Sequence, residues 1–255
     1  MHRHTAPLPW LDPEDPLPPP EEAWSAGTPA PGLLAASASL EVTRLSQAYR
    51  EGIFPWYSQG QPVLWWSTDP RMVLQTAHFR RHRSLRQSLQ RWQSAPDFER
   101  CFDRDFAQVI RACAQQPRRG QQGTWIQPAM IEAYEALHRQ GLAHSAEVWQ
   151  GDRLLAGLYF VSVGRAVFGE SMFTRISDGS KMALDWLVGA ARTAGVQAID
   201  CQQETRHLAS LGAAPIPRDE FLSWVRRARD QAPIDWPAAG RASILQTTAR
   251  APDLP

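Results

Sequence analysis

Cysteine and long apolar runs are scarce in this 255-residue chain. Its three cysteines, Cys101, Cys113 and Cys201, are odd in number and widely spaced, so the sequence predicts neither a disulfide framework nor a zinc site. The apolar run from Leu154 to Val163 is far shorter than the roughly 20 residues of a membrane span. The proline-rich, acidic N-terminal segment is unlike a secretory signal. We therefore expect no membrane segment and a location in the reducing cytoplasm.

Motifs for nucleotide cofactors are also missing. The sequence contains no G-x-x-x-x-G-K-S/T phosphate loop, no G-x-G-x-x-G fingerprint and no G-x-S-x-G elbow. The R-x-x-G-x-G/A loop of acetyl-CoA enzymes is absent as well, since the corresponding stretch is Arg175-Ile176-Ser177-Asp178-Gly179-Ser180. His144 and His207 have no Cys or carboxylate partners at ligand spacing. We expect no ATP, dinucleotide or acetyl-CoA chemistry, no metal and no cofactor.

Positive charge is concentrated in one stretch, although the net charge of the chain is only +1. Between Ala77 and Pro96 there is no acidic residue, and the arginines are Arg80, Arg81, Arg83, Arg86 and Arg91. Leu85, Leu89 and Trp92 recur in the same stretch at helical spacing. The pattern predicts an amphipathic helix whose cationic face is either solvated, the commoner case, or in contact with phosphates.

The order of predicted elements indicates an α+β protein. Helices are expected at 40–51, 106–114, 128–141, 179–194 and 219–229, and strands at 72–74, 144–150, 153–163, 166–174 and 198–202. A meander followed by a helix and a strand is the order of acetyltransferase-like (GNAT-type) domains with a mostly antiparallel sheet. We predict a mobile Pro-rich arm (1–16), a small mixed N-terminal domain (17–76), the acetyltransferase-like domain (77–232) and a C-terminal tail (233–255).

Polar residues on two of these strands suggest a site. Alternation places Phe168, Glu170 and Met172 on one face of their strand, so a carboxylate lies between two apolar side chains. Such a carboxylate is either paired with a core arginine, for example Arg206 or Arg192, or partly exposed in a cleft. Asp200 and Gln202 share a face of the next strand. Together these residues would form an amine-binding corner beside an apolar pocket.

Aromatic residues crowd a segment of the N-terminal domain, where Trp56 is followed by Trp65 and Trp66. A lone tryptophan is usually a core residue, but a cluster beside an arginine-rich helix also suits stacking on bases. The pattern alone leaves both interpretations open.

Taken together, the motifs resemble those of the leucyl/phenylalanyl-tRNA–protein transferase family over most of the chain, from about Leu17 to Arg229. In chain order they are Ala48–Trp56, Trp65–Ser67, Asp69–Arg71, Arg83–Arg86, Gly123–Ile126, His144–Ser145, Glu147–Trp149, Gly169–Phe173, Ser180–Lys181, Ile199–Gln202 and Ser210–Ala213. The chain departs from the family pattern at 35–39, Phe160, Gly179 and 203–206. The departures at Phe160 and 203–206 bear on the pocket and its rim.

The resemblance implies an aminoacyltransferase that moves leucine or phenylalanine from aminoacyl-tRNA to the N-terminal amine of proteins beginning with Arg or Lys and so marks them for degradation. Pocket shape would let methionine be accepted too. The implied catalytic residues are Glu170, Asp200 and Gln202. Gln202 would accept a hydrogen bond from the amine, and Asp200 would either orient or polarise Gln202 or act as the base itself. The implied adenosine-binding residues are Trp56 and Trp125, with Tyr49 and Tyr134 nearby. The implied donor pocket consists of Leu158, Val167, Met172, Leu184, Leu187 and Ile199.

The implied partners are aminoacyl-tRNA, whose backbone would meet Arg80, Arg81, Arg83 and Arg86, and acceptor proteins with N-terminal Arg or Lys. We expect a monomer. One alternative is a related transferase with another acceptor, such as an acidic N-terminus, which the acidic Glu170 and Asp200 disfavour. A second is a non-catalytic RNA-binding module, which would leave Glu170, Asp200 and Gln202 without a purpose.

Overall fold

Two β-sheets organise the part of the chain that this computed structural model describes, residues 7–116 and 126–249. A four-stranded sheet has the order β1-β2-β4-β3, and a seven-stranded sheet has the order β11-β5-β10-β9-β8-β7-β6. The strands are β1 (Trp10–Leu11), β2 (Leu33–Ser37), β3 (Phe54–Pro55), β4 (Val63–Trp66), β5 (Arg71–Gln75), β6 (Phe98–Phe102), β7 (Ala143–Gln150), β8 (Arg153–Val163), β9 (Ala166–Thr174), β10 (Ala198–Gln202) and β11 (Ala214–Ile216).

Helices cover both faces of the larger sheet. They are α1 (Val42–Arg50), α2 (Arg83–Gln93), α3 (Phe106–Gln115), α4 (Pro128–Arg139), α5 (Gly179–Thr193), α6 (Arg206–Ser210), α7 (Arg218–Arg229) and α8 (Trp236–Ala249). Among the described residues, none of these helices has both the length and the apolar character needed to cross a membrane.

The predicted fold class is confirmed. Strands β7, β8 and β9 form an antiparallel meander, and α5 then leads into β10, which runs parallel to β9. The remaining neighbours in the larger sheet are antiparallel. The molecule is therefore an α+β protein in which a small N-terminal sheet precedes an acetyltransferase-like, mostly antiparallel sheet.

Tight glycine turns produce the meander. Gly151 and Gly164 connect its strands with φ angles of 55° and 59°, values that glycine adopts without strain. Gly164 also needs to lack a side chain, because an added Cβ would lie 2.5 Å from the carbonyl oxygen of Arg229. The strands then alternate, so that Leu158 and its neighbour Tyr159 face opposite sides and both sides of the sheet are apolar.

The two apolar sides form two cores. The tyrosine core lies under α1, α3, α4 and α7 and includes Tyr49, Tyr134, Tyr159, Phe168 and Phe221. The leucine core lies under α2, α5 and α8 and includes Leu158, Val167, Leu184, Leu187 and Ile199. The face on which a residue of β9 or β10 lies therefore decides whether it packs in the tyrosine core or in the leucine core.

Helix α8 occupies much of the segment that the sequence presents as a C-terminal tail. Its fully buried Trp236 packs edge-to-face on Phe160 with 4.8 Å between ring centroids. Gly240 lets the helix approach the sheet, since an added Cβ would lie 2.8 Å from the Trp186 ring. Helix propensity is weak in this segment because Pro237 and Gly240 are poor helix formers, yet proline is tolerated in a first turn. Phe160, which departs from the family pattern, therefore helps to dock this helix.

Segments near two predicted domain boundaries take part in sheets. Within the arm predicted at 1–16, β1 pairs in parallel with β2, and Arg44 donates hydrogen bonds to the carbonyl oxygens of Asp12, Pro13 and Asp15. Strand β5, which precedes the boundary predicted at residue 76, lies inside the larger sheet between β10 and β11.

Candidate active site

Strands β9 and β10 are both distorted at the level of the predicted site. Their parallel pairing joins Val167 to Ile199 and Phe168 to Asp200. Immediately beyond, β9 has a bulge against β8, and Glu170 is the extra residue. Strand β10 has a second irregularity against β5, between Asp200 and Gln202. The two strands thus part at a point where each presents polar side chains.

The bulge corrects the predicted arrangement of faces on β9. Phe168 packs in the tyrosine core, whereas Met172 packs against the leucine core. Glu170 bonds with residues of the tyrosine core, so it shares a face with Phe168 but not with Met172. The prediction that all three share one face is wrong because the extra residue reverses the alternation beyond it.

Glu170 is held by a chain of hydrogen bonds. Its Oε1 accepts from Gln202 Nε2 at 2.7 Å, and its Oε2 accepts from the Tyr134 hydroxyl at 3.0 Å. The Tyr134 hydroxyl in turn shares a hydrogen bond with the Tyr49 hydroxyl. Arg192, one of the alternative partners considered, instead donates to the carbonyl oxygen of Thr76.

Burial raises the pKa of the Glu170 carboxyl to about 7. Hydrogen bonds from Tyr49 and Tyr134 act in the opposite direction, and the negative charge of Asp200 adds to the rise. Burial also raises the pKa of both tyrosines well above the ordinary value, so both hydroxyls stay protonated and serve as donors. The pKa of the Glu170 carboxyl therefore lies near neutral pH.

Asp200 is engaged differently, because it forms a buried ion pair with Arg71 on the neighbouring strand β5. Arg71 Nε donates to Oδ1 at 2.8 Å and Nη2 donates to Oδ2 at 2.6 Å, and both side chains have no exposed surface. Oδ1 also accepts the backbone N–H of Gln202 at 2.8 Å. Asp200 therefore contacts the backbone N–H of Gln202 rather than its side-chain amide.

The donor-pocket residues predicted from the resemblance come together in the leucine core. Leu158, Val167, Leu184, Leu187 and Ile199 are buried there, and the half-buried Met172 packs against them. These apolar residues and the Glu170–Gln202 pair consequently lie on opposite faces of the sheet, near the point where β9 and β10 part.

The residues predicted to bind adenosine differ in how far their side chains are exposed to solvent. Trp56 is 37% exposed and makes an edge-to-face contact with Trp66 at 5.6 Å between centroids. Trp125 lies outside the described residues. Tyr49 and Tyr134 are fully buried, so neither presents a ring face on which a base could stack. The structure places these two tyrosines behind Glu170 instead.

The arginines predicted to contact tRNA also differ among themselves. Arg80, Arg83 and Arg86 are exposed, at or beside the start of α2. Arg81 is also exposed, but its guanidinium pairs with the buried Asp185, which also accepts from Arg100 at 3.2 Å. Arg81 thus has a structural partner that the sequence pattern did not reveal.

A sheet parted between two strands, a cluster of apolar side chains on one face and a carboxylate beside an amide on the other suit an acyl-group transferase. The sequence model of the leucyl/phenylalanyl-tRNA protein transferase family matches residues 73–226, and that of its N-terminal domain matches residues 38–69. Leucyl/phenylalanyl-tRNA–protein transferase of Burkholderia vietnamiensis is 55% identical over 240 residues, 94% of each chain. That of Polaromonas sp. is 54% identical over 236 residues, 92% of each chain.

This chain belongs to the leucyl/phenylalanyl-tRNA–protein transferase family and is an aminoacyltransferase. The resemblance inferred from the motifs is confirmed. The sequence motifs include Arg71, but they did not predict a role for it in the site. An arginine at the start of an otherwise apolar strand was the available signal, since a buried guanidinium requires an anionic partner.

Proposed function

We propose that this enzyme transfers leucine or phenylalanine from aminoacyl-tRNA to the N-terminal amine of proteins that begin with Arg or Lys, and so marks them for degradation. The observation that carries the proposal is the pair formed by Glu170 and Gln202 at the point where β9 and β10 part, across the sheet from the apolar side chains of the leucine core. The names of the relatives supply the donor class, and the site supplies groups suited to an amine acceptor.

The reaction needs positioning and one proton acceptor, because an aminoacyl ester is already activated. The α-ammonium of the acceptor, with an ordinary pKa of about 7.7–8.0, must lose a proton before its nitrogen can attack. Glu170 is matched to this task because its pKa is about 7. Asp200 is not, since both of its oxygens are engaged by Arg71 in a site without solvent.

The transfer forms one C–N bond and breaks one C–O bond. The acceptor ammonium first loses one proton to Glu170, which releases it to solvent, and the neutral nitrogen then attacks the ester carbonyl carbon. Glu170 takes a second proton from this nitrogen as the new amide forms. The bond from that carbon to the ribose oxygen breaks, and the leaving oxygen receives the proton from Glu170. Nε2 of Gln202 donates to Glu170, so Oε1 of Gln202 remains to accept a hydrogen bond from the incoming amine.

The leucine core determines which donor amino acids the enzyme accepts. Leu158, Val167 and Met172 with residues of α5 and β10 offer an apolar lining to a leucyl or phenylalanyl side chain. One methylene in such a pocket changes binding by only about 1–3 kcal/mol, so methionine is an accepted donor as well.

Charge favours a cationic acceptor over an acidic one. Asp200 is neutralised by Arg71, so Glu170 is the carboxylate of this site that remains without a cationic partner among the described residues. It attracts an N-terminal Arg or Lys and repels an N-terminal acid.

Aminoacyl-tRNA binds through the exposed aromatic and cationic surface. Trp56 stacks on the terminal adenosine, and Arg80, Arg83 and Arg86 contact backbone phosphates without reading sequence. The requirement for aminoacyl-tRNA supports a cytoplasmic location.

The test is a transfer assay with radiolabelled leucyl-tRNA and three peptides that differ only at the N-terminus. We expect label on a peptide that begins with arginine, none on the same peptide with an acetylated amine, and little on one that begins with glutamate. Label on the glutamate peptide alone would identify the alternative transferase. Binding of the tRNA without transfer to any peptide would identify an RNA-binding module.

A further inference from the structure

Arg71 occupies an unusual environment for an arginine. Its side chain has no exposed surface, and its guanidinium carbon lies 4.5 Å from the ring centroid of Phe54 and 4.4 Å from that of Phe221. Phe54 belongs to β3 in the small N-terminal sheet, and Phe221 belongs to α7. The guanidinium is therefore held between aromatic rings from two separate parts of the chain while its edge binds Asp200.

Stability alone does not account for this arrangement. Two buried charges lose their hydration, and a buried ion pair is often no more stable than apolar residues of similar size. Nη1 of Arg71 adds to the cost, because among the described residues it has no hydrogen-bond acceptor. A planar guanidinium that binds both carboxylate oxygens fixes orientation as well as charge.

The orientation of Asp200 passes directly to Gln202. Asp200 Oδ1 accepts from both Arg71 Nε and the backbone N–H of Gln202, at 2.8 Å each. Gln202 has a φ angle of 57°, a left-handed conformation that is strained for a residue with a side chain. It is also the position at which β10 changes register against β5. The hydrogen bond that the backbone N–H of Gln202 donates to Asp200 Oδ1 holds Gln202 in this conformation, and Nε2 of the Gln202 side chain then lies 2.7 Å from Glu170 Oε1.

We propose that Arg71 is a positioning residue for aminoacyl transfer, acting through Asp200 to hold Gln202 against Glu170. This inference rests on the function proposed above. Arg71 itself touches no substrate, and its role is to keep the acid–amide pair in one geometry before the amine arrives.

The principal test is Arg71→Lys, which keeps the charge but cannot bind both carboxylate oxygens in the planar geometry. We expect kcat for transfer from leucyl-tRNA to an arginine peptide to fall by about 10- to 100-fold, with KM for leucyl-tRNA within about twofold of wild type. Arg218→Lys is the matched control, because Arg218 joins the same regions by donating to the carbonyl oxygens of Ser67 and Glu21 but does not contact Asp200. It should keep the wild-type kcat, and Tm is measured for both.

A double-mutant cycle separates positioning from general loss of structure. In a Gln202→Ala background, Arg71→Lys should lower kcat by less than about twofold, because the group that it positions is already absent. If Arg71→Lys fails to fold, Asp200→Asn, which has the same shape but lacks the charge, replaces it in the cycle. Wild-type kcat in the single variant, or equal losses with and without Gln202, would overturn the inference. Absence of transfer by the wild-type enzyme would instead overturn the proposed function.

Discussion

Replacing Glu170 by glutamine removes a carboxylate whose pKa is raised to about 7 by burial, while the size of the side chain is kept. In the unfolded chain this carboxyl ionises near 4.5, so the folded protein binds its proton more tightly than the unfolded chain. Below pH 4.5 the group is protonated in both states and costs nothing. As pH rises through about 7, the folded state alone must hold a charge in a desolvated site, and stability is lost.

The size of this loss follows from the two pKa values. A rise from 4.5 to about 7 corresponds to about 3 kcal/mol in the free energy of unfolding. Most of it develops between pH 5 and pH 8. Glu170→Gln has no such group, so relative to wild type it should gain about 2–3 kcal/mol of stability over this interval.

The assay is urea denaturation of both proteins at pH 5 and pH 8, followed by tryptophan fluorescence. Other groups titrate alike in the two proteins, so the change in the difference between them isolates Glu170. A difference that is the same at both pH values would refute the account of a desolvated carboxylate.

The pH dependence of kcat provides an independent measure of the pKa of Glu170. If Glu170 accepts the proton of the amine, kcat at saturating acceptor should rise with pH with an inflection near 7. Glu170→Gln should remove that inflection and lower kcat by about 100-fold or more. An unchanged profile in the variant would assign the proton to another group.

Two further predictions concern tRNA. Trp56→Ala should weaken use of aminoacyl-tRNA by about 1–3 kcal/mol in kcat/KM, whereas Trp10→Ala, at a still more exposed tryptophan, should leave it unchanged; equal effects would argue against stacking. Arg86→Gln should weaken tRNA binding in filter assays and reduce the slope of log Kd against log salt by about 1, without altering Tm. Arg81→Gln should instead lower Tm, since it removes a partner of the buried Asp185; the opposite pattern would contradict these assignments.

Regular elements were accessible from sequence because their signals are local. The period of β8, the glycines at 151 and 164 and the apolar spacing of α5 each decide a short stretch of backbone, and the observed bounds lie within two residues of those predicted. Helix α8 was missed because its stability comes from Trp236 packing on Phe160, which is a tertiary contact.

The candidate site was accessible only in part. Alternation identified Glu170 as a carboxylate in apolar surroundings, but the bulge that sends Met172 to the other face leaves no mark in the pattern of polar and apolar residues. Arg71 and Asp200 are 129 residues apart, so no local period relates them. Tyr49 and Tyr134 were associated with the site through the family pattern, and only the coordinates show their hydroxyls behind Glu170.

The aromatic sandwich around Arg71 also sets the order in which the enzyme becomes competent during its own synthesis. Phe54 leaves the ribosome early, Asp200 late, and Phe221 later still. Until α7 has docked, the guanidinium lacks one of its two aromatic walls and is open to water, which competes for Asp200. We therefore expect a nascent chain to hold the Glu170–Gln202 pair in place only when nearly the whole polypeptide has been made.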